Sequence, residues 1–146
     1  MNRPSPKIAW VAVAGAGSIG SRHLKVLAGM EGVEPIAVPV RASRAAELVE
    51  SGYLTAQNID EAIRKGASHC IVATDTGRHL QDGLDALDKG LTTLMEKPMA
   101  TNAVDARTLL SRSEQNGCRL FVACVLRFSD SLSTFKEGLA QIGELH

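Results

Sequence analysis

Gly15-Ala16-Gly17-Ser18-Ile19-Gly20 sets three glycines in the spacing G-x-G-x-x-G directly after the apolar run of residues 8–14. Where such a run is a strand and the next residues a helix, the first glycine permits a tight turn and the second lets backbone approach a pyrophosphate. The third allows close packing of the helix. Ser18 and Ile19 then lie in the first helical turn, whose unpaired N–H groups attract phosphate. The chemistry implied is dinucleotide binding, although glycines at a strand-to-helix junction also serve simply to make the turn.

About 20 residues further on, NAD-binding sites of this kind carry a carboxylate for the ribose hydroxyls. This chain instead reads Pro39-Val40-Arg41-Ala42-Ser43-Arg44. Two guanidiniums and a hydroxyl suit the 2′-phosphate of NADP, because arginine makes forked, charge-assisted hydrogen bonds to phosphate. NADP is therefore the expected cofactor, with NAD as the alternative. The competing reading is a solvated helix start with Ser43 as its N-cap.

Glu96-Lys97-Pro98 follows a candidate strand, so Lys97 would project at its end, where an ammonium can hold a substrate hydroxyl or stabilise a developing alkoxide. A lysine there is also ordinary surface charge. Pro98 removes a donor and restricts the Lys97 backbone. Asp75-Thr76-Gly77, after Thr74, can offer hydroxyl and amide donors to a cofactor or make a plain turn. His79 reads as a capping or packing residue at a helix start, and His23 as one that packs or faces solvent.

Cys70, Cys118 and Cys124 lack C-x-x-C spacing and are expected to be buried free thiols. His23, His69, His79 and His146 are scattered singly, so no metal site is expected. Lys plus Arg and Asp plus Glu each number 16, and aromatic residues make up 3%. Neither a basic field nor stacking platforms are available for nucleic acid. The N-terminal apolar run falls well short of the roughly 20 residues a membrane span needs, and residues 1–7 read as a loose tail rather than a signal peptide. The expected location is cytoplasmic, without membrane association.

The elements that position these residues alternate along the chain. Apolar runs predict strands over 8–14, 35–38, 54–56, 69–74, 92–95 and 119–126. Helical spacing predicts helices over 18–30, 43–51, 59–65, 78–89, 102–116 and 130–140, with Gly90 and Gly117 as stops. Strands alternating with helices throughout give a single α/β unit, a doubly wound parallel sheet whose ligands sit beyond the C-terminal strand ends. Leu132, Phe135 and Leu139 would make an apolar stripe and favour a homo-oligomer or association with another chain.

The glycine loop with Arg22-His23, the loop from Thr74 to His79, Gly90, Glu96-Lys97-Pro98, and Arg127-Phe128 followed by Ile142-Gly143-Glu144 resemble the Gfo/Idh/MocA family of NAD(P)-dependent sugar oxidoreductases. The resemblance implies a Rossmann dinucleotide-binding domain over 1–126. It implies that 127–146 leads toward a second α/β domain, with an open, mostly antiparallel sheet, that this truncated sequence lacks. It places Lys97 near nicotinamide and substrate as the catalytic group. Cofactor contacts would come from Gly15, Gly17, Ser18, Ile19, Gly20, Arg41, Ser43, Arg44, Thr74, Thr76, His79, Glu96 and Lys97. The implied activity is hydride transfer between the cofactor and a sugar-like carbinol or carbonyl; the alternative is a dinucleotide-binding or regulatory module, not catalytic alone. Two positions depart from the family pattern. Asp75 stands where proline is common and would repel diphosphate unless it points away or pairs with Arg78. Val40 stands where a carboxylate is common, which favours NADP.

Overall fold

The computed structural model describes residues 8–139. Within them the apolar run becomes β1 (Ala9–Ala14), followed by α1 (Ser18–Ala28), β2 (Val33–Val38), α2 (Ala42–Glu50), β3 (Leu54–Thr55) and α3 (Ile59–Arg64). The second half comprises β4 (Ala67–Val72), α4 (His79–Asp88), β5 (Thr92–Met95), α5 (Ala103–Gln115), β6 (Leu120–Val122) and α6 (Asp130–Leu139). All strand pairs are parallel, in the order β3-β2-β1-β4-β5-β6. This is the doubly wound α/β sheet that the alternation predicts.

Successive β1 side chains point to opposite faces, which is why the whole run is apolar. Ala12 and Ala14 join Ile36, Val72, Leu87, Met95 and Leu109 beneath α3, α4 and α5, while Val11 and Val13 join Leu24, Leu27, Leu48 and Ile71 beneath α1 and α2. Leu24, Leu87 and Leu109 are fully buried. Each contributes about 1.5–3 kcal/mol relative to an exposed side chain. A Cβ on Gly83 of α4 would lie 2.8 Å from Leu109 and 3.1 Å from Met95, so the bare backbone lets α4 and α5 close over β5.

From β1 the chain builds outward through β2 to β3, then crosses back to β4 on the other side of β1. The strand order reverses between β1 and β4, and the crevice beyond their C-terminal ends is where such sheets bind ligands.

Several boundaries differ from the sequence expectation. The sixth strand, expected over 119–126, ends at Val122 because its partner ends: Met95 pairs with Val122, Ala123 N–H donates to Met95 O at 2.9 Å, and β5 then stops. A 3-10 turn, Val125–Phe128, replaces the remainder. Cys124 is consequently exposed and Cys118 half-buried, which corrects the expectation of buried thiols. Cys70 is buried, and loss of solvent pushes its thiol pKa up to about 12. β2 begins earlier than expected and includes Pro35, tolerated because β3 pairs only with Ile36 and Ala37. β4 ends at Val72, leaving Thr74 in a loop that passes through a 3-10 turn, Thr76–Arg78, into α4.

Leu132 and Phe135 on α6 are exposed as expected for an apolar stripe, while Leu139 is half-buried. Residues 142–144, part of the resemblance, lie outside the described residues. Among the described residues no helix is long and apolar enough to cross a membrane.

Candidate functional site

The three glycines of the loop after β1 answer to three different constraints. Gly15 has φ +90°, and a Cβ there would meet the Ala73 carbonyl oxygen at 2.7 Å, so the loop lies flush against the end of β4. Its N–H donates to Val38 O at 2.9 Å, tying the loop to β2 as well. A Cβ on Gly20 would fall 1.9 Å from the Gly15 carbonyl oxygen, so the first turn of α1 rests on the loop. Around Gly17, by contrast, a Cβ would meet nothing within 4 Å. Gly17 is the α1 N-cap, with no side-chain cap and no acidic residue in the first turn. The N–H groups of Ser18, Ile19 and Gly20 therefore have no intrahelical acceptor, and the positive helix end stays available to an anion.

A cleft of about 740 Å³ opens between this loop and the ends of β2 and β4. Gly15, Gly17 and Ser18 line one wall, Thr74 and Asp75 a second, and Val40, Arg41, Ser43 and Arg44 a third. The N-cap of α2 is Arg41, without a side-chain cap bond, and Ser43 sits in the first turn; Ser43 is therefore not the N-cap. Arg44 folds back on the glycine loop, donating from Nε to Ala16 O and from a terminal nitrogen to Ser21 Oγ, both at 3.3 Å. It also pairs with Glu47 one turn along α2. Arg41 makes no side-chain hydrogen bond or ion pair among the described residues, so its charge is the less committed of the two.

On the wall from β4, Thr74 Oγ1 donates to Asp82 at 2.7 Å. Arg78 grips the same carboxylate with two bonds of 3.1 and 3.0 Å. Arg78 thus pairs with Asp82 and not with Asp75, whose exposed carboxylate has no side-chain partner among the described residues. Thr76 starts the 3-10 turn and is half-buried, away from the cleft lining. His79, expected among the cofactor contacts, is only 1% exposed. Its Nδ1 lies 2.8 Å from Pro98 O and its Nε2 3.0 Å from Thr74 O, so it faces protein carbonyls beneath the surface and not the cleft.

Glu96, Lys97 and Pro98 leave the end of β5, next to β4. Glu96 N–H still donates to Val72 O at 2.9 Å, so the sheet persists to this residue. Its carboxylate meets His23 Nε2 at 2.7 Å and accepts the Lys97 N–H at 3.2 Å. The Lys97 side chain is exposed, with no hydrogen bond or ion pair for its ammonium among the described residues. The Lys97–Pro98 bond is cis.

The fold therefore gathers the glycine loop, the start of α2 and Thr74 around one cleft, and sets Glu96 and Lys97 beside it at the next strand end. The sequence reading passed over Ser21, Glu47 and Asp82, and the His23–Glu96 contact. Arg78 and Asp82 had a legible signal in their i,i+4 spacing. His23 had one too, three residues beyond Gly20 and so on the helix face that rests on the loop.

Residues 10–124 match the model of an oxidoreductase family described as having an NAD-binding Rossmann fold, Gfo/Idh/MocA. The chain is 28% identical over 125 residues to a 4-carboxy-2-hydroxymuconate-6-semialdehyde dehydrogenase from Sphingobium sp., spanning 83% of this chain and 40% of the relative. It is 25% identical over 136 residues to a scyllo-inositol 2-dehydrogenase (NADP(+)) from Bacillus subtilis, spanning 90% of this chain and 42% of the relative. The structure superposes with a TM-score of 0.80 on scyllo-inositol dehydrogenase from Lactobacillus casei with bound NAD(H) and scyllo-inositol, at 20% identity, covering 92% of this chain and 42% of that one. The chain thus spans about two fifths of the length of the curated relatives it matches.

Proposed function

The chain belongs to the Gfo/Idh/MocA oxidoreductase family with its NAD-binding Rossmann fold, and from that premise we propose that it binds NADP and serves hydride transfer to or from a sugar-like carbinol or carbonyl. The observation that carries this reading is the open space at Gly17 beside an uncapped helix start, with two arginines and no carboxylate at the end of β2. The space fits the cofactor: a Cβ on Gly17 would project where backbone must approach the pyrophosphate.

In this reading the free N–H groups of Ser18, Ile19 and Gly20 hold the pyrophosphate. Arg41 and Ser43, at the start of α2, hold the 2′-phosphate. Arg44 adds positive field but is partly neutralised by Glu47. Thr74 flanks the cofactor in the cleft on the β4 side, Thr76 borders it only from the adjoining 3-10 turn outside the lining, and Glu96 and Lys97 stand at its nicotinamide end. The bound cofactor supplies the hydride chemistry. Lys97 polarises the substrate oxygen, its ammonium stabilising negative charge as it develops there. His79 acts from beneath the surface, without touching the cofactor.

Glu47 favours NAD as the alternative, since it lines the cleft and offers a carboxylate to ribose hydroxyls. Titration of the chain with NADPH and NADH, alongside Arg41→Asp, separates the two. Loss of a charge-assisted hydrogen bond costs about 1.5–3 kcal/mol, so Arg41→Asp is expected to weaken NADPH about ten- to hundredfold and NADH little. Equal affinity for both cofactors, unaffected by the change, overturns the NADP assignment.

A second reading is a dinucleotide-binding module completed by another polypeptide surface. It assigns 1–126 to the cofactor and 127–146 to a connection with a substrate-binding unit. Phe128 is 84% exposed and Phe135 62%, an apolar surface suited to a second copy or to such a unit.

A further inference from the structure

Lys97 is the first residue after β5 to leave the ladder, since Glu96 still bonds to Val72. Its ammonium has no partner among the described residues, so its place depends on what holds the main chain on either side. On one side, Glu96 accepts the Lys97 N–H through Oε2 while its Oε1 meets His23 Nε2. On the other, the Pro98 carbonyl oxygen lies 2.8 Å from His79 Nδ1. Both anchors trace to a histidine.

The two histidines come from opposite layers. His23 belongs to α1, whose Leu24 and Leu27 pack on one face of the sheet, and His79 opens α4, whose Ala86 and Leu87 pack on the other. They are 73 and 19 residues from the groups they hold. The second His79 nitrogen faces Thr74 O at 3.0 Å, which links the turn after β5 to the cleft wall after β4. A carbonyl oxygen can only accept, so a neutral ring serves one of these carbonyls and the doubly protonated ring serves both.

We propose that His23 and His79 are positioning residues that brace the Glu96-Lys97-Pro98 turn from the two faces of the sheet and so fix the aim of Lys97. The proposal rests on the reading of Lys97 as the group that works on substrate oxygen. His23 acts through the Glu96 carboxylate, whose free rotation would release the Lys97 amide. His79 acts through the Pro98 carbonyl and keeps the turn in register with Thr74.

The test is the backbone order parameter of Lys97, from 15N relaxation on the 146-residue chain without cofactor. A braced turn gives a value near the rigid limit of about 0.85; His23→Ala is expected to lower it below about 0.6. Val13 and Cys70 should keep their values, and His23→Gln, whose Nε2 can reach the Glu96 carboxylate, should restore Lys97. In His79→Asn, the retained donor near Nδ1 holds Pro98 while the Thr74 loop loosens. An unchanged Lys97 in His23→Ala overturns the proposal, as does a loss of order spread equally over the sheet; both can be read even if the buried His79 variant fails to fold. Lys97→Ala separates the two claims: turnover at the unaltered rate removes the catalytic reading and leaves the relaxation result intact.

Discussion

Gly17→Ala separates the needs of the fold from the needs of the ligand. Gly17 has φ −72° and ψ −162°, extended backbone open to any residue, and an added Cβ meets nothing within 4 Å. Two small effects on stability oppose each other. Removing a glycine from the unfolded ensemble stabilises by about 0.4–1 kcal/mol, and alanine at an N-cap is worse than glycine by about 0.5–1 kcal/mol. They offset to near zero, so Tm should stay within about 4 °C. Binding is another matter, because the methyl occupies space where phosphate oxygens must approach the helix N–H groups. Loss of one such charge-assisted bond costs about 1.5–3 kcal/mol, so the NADPH dissociation constant should rise about ten- to hundredfold. Gly20→Ala is the control, since its Cβ would lie 1.9 Å from the Gly15 carbonyl oxygen and must displace α1; it should lower Tm as well as affinity. Thermal melts with fluorescence titration of NADPH decide the matter. A Gly17→Ala protein that binds NADPH as tightly as the parent refutes the assignment of this loop to the pyrophosphate.

Hydrogen bonding from Arg112, first among the causes, holds the Asp88 carboxyl below its ordinary value of 3.8. A depressed carboxylate contributes stability above its unfolded pKa and loses it as pH falls through the folded value. The Tm gap between the parent and Asp88→Asn should therefore be widest at neutral pH and close below pH about 4, as melts across a pH series would record. Phe135→Glu places charge on the exposed stripe of α6, so sedimentation velocity at high concentration should show self-association in the parent and less in the variant. A parent that stays monomeric counts against that surface as an interface.

Much of the fold was legible because strand and helix periods differ. Thr92–Met95 is bounded by Gly90 on one side and Glu96-Lys97-Pro98 on the other, and its observed limits are those predicted. Runs such as Ala9–Ala14 are apolar throughout only when both faces are covered, which pointed directly to a parallel sheet. The length of β6 was not legible, because it depends on where β5 stops and not on the apolar character of residues 123–126. Nor was the cap of α2: Ser43 has the right chemistry for an N-cap, but the chain turns helical one residue earlier. At the candidate site, the glycine spacing and Lys97 could be picked out from local order. The His23–Glu96 contact could not, since its partners are 73 residues apart and meet only after β1, β4 and β5 have paired. His79 reads from its position as a capping or packing residue, but its partners, the Pro98 and Thr74 carbonyls, are set by tertiary packing and carry no local signal.

The sheet tapers at both margins: β3 has two residues and β6 three. A foreign strand aligning with either margin would find too few rungs to zip up against, and this curbs amyloid-like stacking even with Phe121 exposed on β6. Short margins of this kind disfavour ribbon growth by strand addition and leave the exposed Leu132 and Phe135 of α6 as the surface on which the expected self-association would form.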